Sequence, residues 1–371
     1  MLRSSQTAPV NFLLLSDTHA FSPPPYNSPG SEQCPDDSIK RGRILRHPLP
    51  NISTPTPTVL IHAGDLTMTG LSSEMTTTYN FIASHPAELK IVIPGNHDTT
   101  LDVPYYQSVG SRRFHSGPAS GGPQDIRQIR DLWTGETAKS KGIAYMEEGI
   151  KSFTVSNGAS FTVYVSAWTP EFCNWAFAYE RDEDRFNHSI SNQDQQPKNP
   201  IPDFPEIDII ITHGPPYGFL DPTYPRIYPS SSTQSTFSIP VGCKNLLKAV
   251  HRSKPLLHVF GHIHEGYGAT VTKWNRLDNE LLTKLLQDPK ALTPRPIDHA
   301  SVDKKTIFPS RNLPEKEGEA GEVWLQGTKD LVRGEETLFV NASMLDERYK
   351  PRGRMWVVEL ELSVGEKGGR G

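Results

Sequence analysis

Short aliphatic runs recur along the chain, and each breaks off at polar, chemically capable residues. Asn11-Phe-Leu-Leu-Leu-Ser16 leads into Asp17, Thr58-Val-Leu-Ile-His62 into Gly64-Asp65, and Lys90-Ile-Val-Ile-Pro94 into Gly95-Asn96-His97-Asp98. Ile207-Asp-Ile-Ile-Ile-Thr212 leads into His213, and Leu256-Leu-His-Val-Phe260 into Gly261-His262. Uninterrupted runs of this length predict strands buried on both faces, because a half-exposed strand alternates apolar and polar positions. Helical spacing falls between them: Ser72 to Ser84, capped at Ser72 or Ser73 and stopped by His85-Pro86; Asp125 to Trp133; and Cys243 to Val250. Phe153-Thr-Val and Phe161-Thr-Val-Tyr-Val165 flank Asn157-Gly158 and predict a hairpin. Strand and helix alternate, so the fold class is α/β, with functional groups expected on loops at strand ends.

Two segments, 21–57 and 272–336, read as insertions into a single domain spanning 1–371. The first is rich in proline and serine. The second is charged, with one helix expected around Leu277 to Gln287 and the rest a partly disordered surface excursion.

Composition narrows the function classes. The 371 residues are 35% hydrophobic and 22% charged, which suits a folded core. A formal net charge of −4 provides no basic field for a nucleic-acid polymer. No run reaches the roughly 20 apolar residues of a membrane span. Phe12 to Leu15 is too short for a signal-peptide core, and Cys34, Cys173 and Cys243 are scattered, so a cytoplasmic, reducing compartment is expected. Oligomeric state is not legible.

The five strand-end clusters contain Asp17 and His19, Asp65, Asn96 with His97 and Asp98, His213, and His262 with His264. In Asp-x-His and His-x-His, alternate residues of an extended segment aim at one side, so two donors converge. Carboxylate, amide and imidazole form a moderately hard ligand set suited to Mn, Fe, Zn or Mg, and the absence of cysteine from the clusters argues against structural zinc. Each cluster alone has an ordinary explanation, such as a turn or a core histidine of the kind expected for His62 and His258. All five at successive strand ends make a metal site the better reading.

These blocks resemble the calcineurin-like metallophosphoesterase superfamily. Further matches at Trp168-Thr-Pro170, Thr212-His-Gly-Pro-Pro216, Glu265-Gly-Tyr-Gly268 and Val340-Asn-Ala-Ser343 are similar to its small metallophosphoesterase-domain-containing subgroup, which is cyclic-nucleotide phosphodiesterase-like. The resemblance implies a four-layer αββα sandwich, two mixed sheets flanked by helices, and two divalent metal ions. Asp17, His19, Asp65 and His264 would hold one ion; Asp65, Asn96, His213 and His262 would hold the other, with Asp65 bridging. Two such ions would lower the pKa of a water and so supply the hydroxide that attacks phosphorus in line. His97 is expected to protonate the leaving group, with Asp98 orienting its ring. The expected substrate is a small phosphate ester, a phosphodiester such as a cyclic nucleotide first. Alternatives are a phosphomonoesterase or, less consistent with a full ligand set, a non-catalytic scaffold. Trp175 is read as part of an aromatic loop that walls the pocket or caps the sheet. Arg112, Arg113 and His115 are read as loop residues, solvent-exposed rather than phosphate-binding. The tyrosines Tyr217 and Tyr267 are read as packed in rigid turns in preference to stacking on a base.

Overall fold

The computed structural model describes residues 6–21, 55–188, 196–223, 239–274, 310–311, 315–317, 322–351 and 354–365. The strands of the two large sheets, in chain order, are β1 (Thr7–Leu15), β2 (Thr58–Ala63), β3 (Leu89–Ile93), β4 (Ile143–Tyr145), β5 (Glu148–Thr154), β6 (Ser160–Ser166) and β7 (Ile209–Thr212). They continue as β8 (Leu257–Phe260), β9 (Gly268–Lys273), β10 (Ser310–Arg311), β11 (Glu315–Glu317), β12 (Val323–Leu325), β13 (Glu336–Asn341) and β14 (Trp356–Ser363). One seven-stranded sheet runs β11-β12-β14-β1-β2-β3-β4 and the other β10-β9-β13-β8-β7-β6-β5. β1 to β4 are mutually parallel, as are β6, β7, β8 and β13.

The aliphatic runs are explained by what covers them. Phe12, Leu14, Ile61 and Ile91 of the first sheet meet Val163, Ile209, Val259 and Val340 of the second in a core between the sheets. The alternate residues Leu13, Leu60 and Val92 face outward, under α1 (Ser72–Ser84) and α2 (Ile126–Thr134). Tyr164, Ile210 and Phe339 of the second sheet lie under α3 (Lys244–Ser253). Both faces of the central strands are therefore dry, and the order of layers is helix, sheet, sheet, helix. This is the α/β sandwich expected from the sequence.

Local signals fare unevenly. α2 begins as predicted, with Asp125 Oδ1 accepting from the backbone N–H groups of Arg127 and Gln128. α1 is capped differently. Its N-cap is Leu71, and Glu74 reaches back to accept from the N–H groups of Thr69 and Leu71. The hairpin forms between β5 and β6, with Gly158 at φ 88°. Residues 22–54 and the helix expected at 277–287 lie outside the described residues. The described parts of 272–336 differ from a surface excursion. β9 ends inside the segment, β12 pairs with β14 in the first sheet, and Glu336 opens β13. β12 is three residues long, too short to show a period.

Candidate metal centre

The C-terminal ends of β1, β2 and β3 in one sheet and of β7 and β8 in the other open towards a common point. The backbone ties them together: Asp17 N donates to Gly64 O (2.9 Å), and Gly261 N donates to His213 O (3.0 Å). His213 Nδ1 crosses between the sheets to donate to Ala63 O at 3.0 Å. All seven residues expected as ligands stand together here. Asp17, His19 and His264 offer ligand atoms within 4.8 Å of one another, and so do Asp65, His213 and His262. Asp65 joins the two groups, with His19 Nε2 at 3.6 Å from Oδ2 and His213 Nε2 at 3.3 Å from Oδ1. Asn96 Oδ1 lies 2.9 Å from His213 Nε2.

The turns that aim these side chains are costly. Asp17, His19, Asp65 and His262 have φ of 52°, 46°, 54° and 66°, in the left-handed region that non-glycine residues avoid. Such strain costs of order 1 kcal/mol or more per residue and persists where the surroundings over-determine it. Gly261 is required for a different reason: a Cβ there would overlap the Asp17 carboxylate and the Ser16 side chain. Gly95 likewise leaves no room beside the Asp65 carboxylate.

Ring orientation fits a cation. A carbonyl can only accept, so His19 Nδ1 donates to Thr67 O (3.1 Å), His213 Nδ1 to Ala63 O, and His264 Nδ1 to Asp346 O (2.8 Å). Each Nε2 is thereby left to offer its lone pair inward. His19 Nε2 and His264 Nε2 face each other at 3.4 Å, and His213 Nε2 faces the Asn96 carbonyl. Lone pairs brought this close, beside two buried carboxylates, call for positive charge between them, which a bound cation would supply. The protein groups register the same demand. Burial disfavours charge on His264 and His213, yet Asp17 beside the first and Asp65 beside the second carry each pKa up to about 9. Burial would raise the Asp65 carboxyl, but the neighbouring His213 outweighs it and holds that group well below the usual range. His19 goes the other way, down to about 4, because burial dominates.

A family model described as "Calcineurin-like phosphoesterase" matches residues 10–266, which contain all seven candidate ligand residues. The chain belongs to that family. Metallophosphoesterase domain-containing protein 1 of Homo sapiens is 36% identical over 220 residues, covering 58% of this chain and 57% of its own length. The Mus musculus protein of the same name matches equally. A probable rhamnogalacturonate lyase C of Emericella nidulans is 32% identical over 228 residues, 61% of this chain but only 17% of that protein. The chain thus spans a little over half the length of the metallophosphoesterase domain-containing relatives it matches.

Asp98 and His115 are placed differently from the sequence expectation. Asp98 does not touch the His97 ring. It is fully buried, and its carboxylate accepts from Leu66 N (3.0 Å), Thr67 N (2.9 Å), Thr67 Oγ1 (2.7 Å) and Gly95 N (2.8 Å). The residue holds the β2 and β3 turns together. His97 is oriented instead by Met68 O, which accepts from Nδ1 at 2.8 Å, and its ligand atom also lies within 4.8 Å of those of His19 and Asp65. His115 is another difference: it is buried and bonded to Tyr106 Oη at 2.8 Å, not exposed. Tyr217 is packed in the core under α3, and Tyr267 stacks on Trp356.

Two contributors were given no role from the sequence, although Ser343 lies in the quoted Val340-Asn-Ala-Ser343. Ser343, just past β13, donates from Oγ to Asp17 Oδ2. Its signal was available, since β13 is a sixth strand ending at the same edge. Tyr349 sets its ring edge-on to His19 (5.0 Å) and His264 (5.5 Å), and nothing in Asp346-Glu-Arg-Tyr-Lys-Pro351 marks it.

Proposed function

We propose that the protein is a dinuclear metal-dependent phosphodiesterase acting on cyclic nucleotides or similar small phosphodiesters. The observation that carries the reading is Asp65, shared between a cluster with His19 and a cluster with His213 and His262, each with imidazole nitrogens turned inward. The likeness to the small metallophosphoesterase-domain-containing subgroup supports a diester of nucleotide size.

A bound ion pair would neutralise phosphate charge and lower the pKa of the attacking water. The chain's residues prepare the rest. Asp17 and Asp65 are almost wholly buried, so attraction between them and bound cations is little screened. His97 commits Nδ1 to Met68 O and stands beside His19 and Asp65, which leaves Nε2 to pass a proton to the departing oxygen. Protein phosphatases of this superfamily carry arginines near Gly-Asp and Gly-Asn-His, whereas this chain has Leu66-Thr-Met-Thr-Gly70 and Ile93-Pro94 there. That contrast favours a small substrate.

The test is turnover of bis-p-nitrophenyl phosphate against p-nitrophenyl phosphate, after chelation and reconstitution with manganese or zinc. Faster diester turnover is expected. Preference for the monoester would move the protein to the phosphomonoesterases, and no turnover with either metal would overturn catalysis.

A further inference from the structure

Residues 171–177 form a tight loop beside His97. Cys173, Asn174 and Phe177 all have positive φ, at 53°, 53° and 51°. Two consecutive left-handed non-glycine residues are unfavourable and survive only where other contacts fix them. Those contacts are present. Arg113 Nη1 donates to Cys173 O at 2.9 Å and also to Asn174 O. Tyr105 Oη donates to Asn174 O (2.7 Å), Glu171 Oε1 accepts from Asn174 N (2.9 Å), and Asp102 Oδ2 accepts from Phe177 N (2.8 Å). The next residue after this strained pair is Trp175. Its ring stacks on His97 with centroids 4.0 Å apart and planes 26° apart, and on Phe114 at 4.7 Å and 22°. The Arg113 guanidinium lies 5.1 Å from the Trp175 ring.

Covering the sheet would not need this geometry, because the Trp175 ring lies against His97 and remains partly exposed. His97 donates through Nδ1 to Met68 O and meets the His19 ring at 4.7 Å, an arrangement that still leaves a swing about the hydrogen bond, and the flat Trp175 ring against its face removes that freedom. We propose that Trp175 is a positioning residue for His97, held in place by the strained loop and by Arg113. The inference rests on the function proposed above, in which His97 serves the leaving group. In that step a hydroxide oxygen bonds to phosphorus as the phosphorus–oxygen bond to the leaving group breaks, and the bonding pair of the broken bond stays on the departing oxygen. That oxygen takes the Nε2 proton of the imidazolium, leaving a neutral ring with its proton on Nδ1, still donated to Met68 O. Fixing the ring matters most when the departing oxygen is strongly basic.

The experiment compares bis-p-nitrophenyl phosphate, whose aryl oxide leaves without help, with diphenyl phosphate, whose phenoxide is more basic. Full-length wild type, Trp175→Ala, Trp175→Phe, His97→Ala and the double alanine variant are reconstituted with manganese. Metal content and inhibition by inorganic phosphate are measured for each. Trp175→Ala should keep both ions and phosphate inhibition, yet lose about tenfold or more of its turnover on diphenyl phosphate relative to the nitrophenyl diester. His97→Ala should show the same bias, the double variant should be no worse than His97→Ala, and Trp175→Phe should recover most of the loss. Equal slowing on both diesters, or loss of metal from Trp175→Ala or His97→Ala, overturns the positioning role while leaving phosphodiesterase activity standing. Wild type that turns over neither diester overturns the proposed function and this role with it.

Discussion

Ser343 Oγ donates a 2.8 Å hydrogen bond to Asp17 Oδ2 across 326 residues of sequence. The same carboxylate accepts from the His262 N–H at 3.0 and 3.1 Å, so its orientation is set by the end of β13 and by the turn after β8. Losing a hydrogen bond of this kind behind a metal ligand weakens metal binding by roughly 10–100-fold. Ser343→Ala should therefore bind the cation about tenfold more weakly, with little change in fold, as read by calorimetric titration of metal-stripped protein. Unaltered affinity would mean that the backbone alone orients Asp17.

Asp98 makes a second prediction. Oδ2 accepts from Leu66 N and Gly95 N, and Oδ1 accepts from Thr67 N and Oγ1. An asparagine in either flip would turn its NH₂ towards two donors. Asp98→Asn should cost about 2–3 kcal/mol in urea unfolding and loosen the turns carrying Asp65 and Asn96. A variant as stable as wild type would show that these bonds are replaceable.

The fold was legible where burial dictated it. Phe12 to Leu15 and Ile209 to Ile211 are dry on both sides, and only aliphatic residues tolerate that. The site was legible because each ligand cluster sits within a few residues of such a strand. Asp98 was misread because adjacency to His97 in sequence is not adjacency in space: its backbone turns the side chain under the β2 loop. β12 and Tyr349 were missed because three residues and one ring carry no periodicity. The cap of α1 was misplaced because Glu74, not a serine hydroxyl, satisfies the first turn.

His258 gives a pH-dependent prediction. Burial lowers its pKa to about 3, and Thr212 Oγ1, which donates to Gly214 O, accepts from its Nε2 at 2.9 Å. Above pH 6.5 the folded and unfolded states both hold this ring neutral, so it contributes no pH dependence there. As pH falls from 6.5 towards 3, the unfolded chain takes up a proton that the folded state refuses. Stability then drops by up to about 1.4 kcal/mol per pH unit for this one group. His258→Gln keeps a donor to Thr212 without the titration. The stability advantage of wild type over this variant should shrink by about 2 kcal/mol between pH 7 and pH 5, compared by urea midpoints at fixed metal. A constant advantage would place a protonated ring in the folded state.

The proposed centre depends most on two cations meeting at Asp65. The direct measurement is metal content by plasma mass spectrometry, after chelation and reconstitution with excess manganese or zinc, on wild type and Asp65→Ala. Two ions per chain in wild type, with neither retained after Asp65→Ala, is the expected result. One ion or none in wild type, or two in the variant, would contradict it.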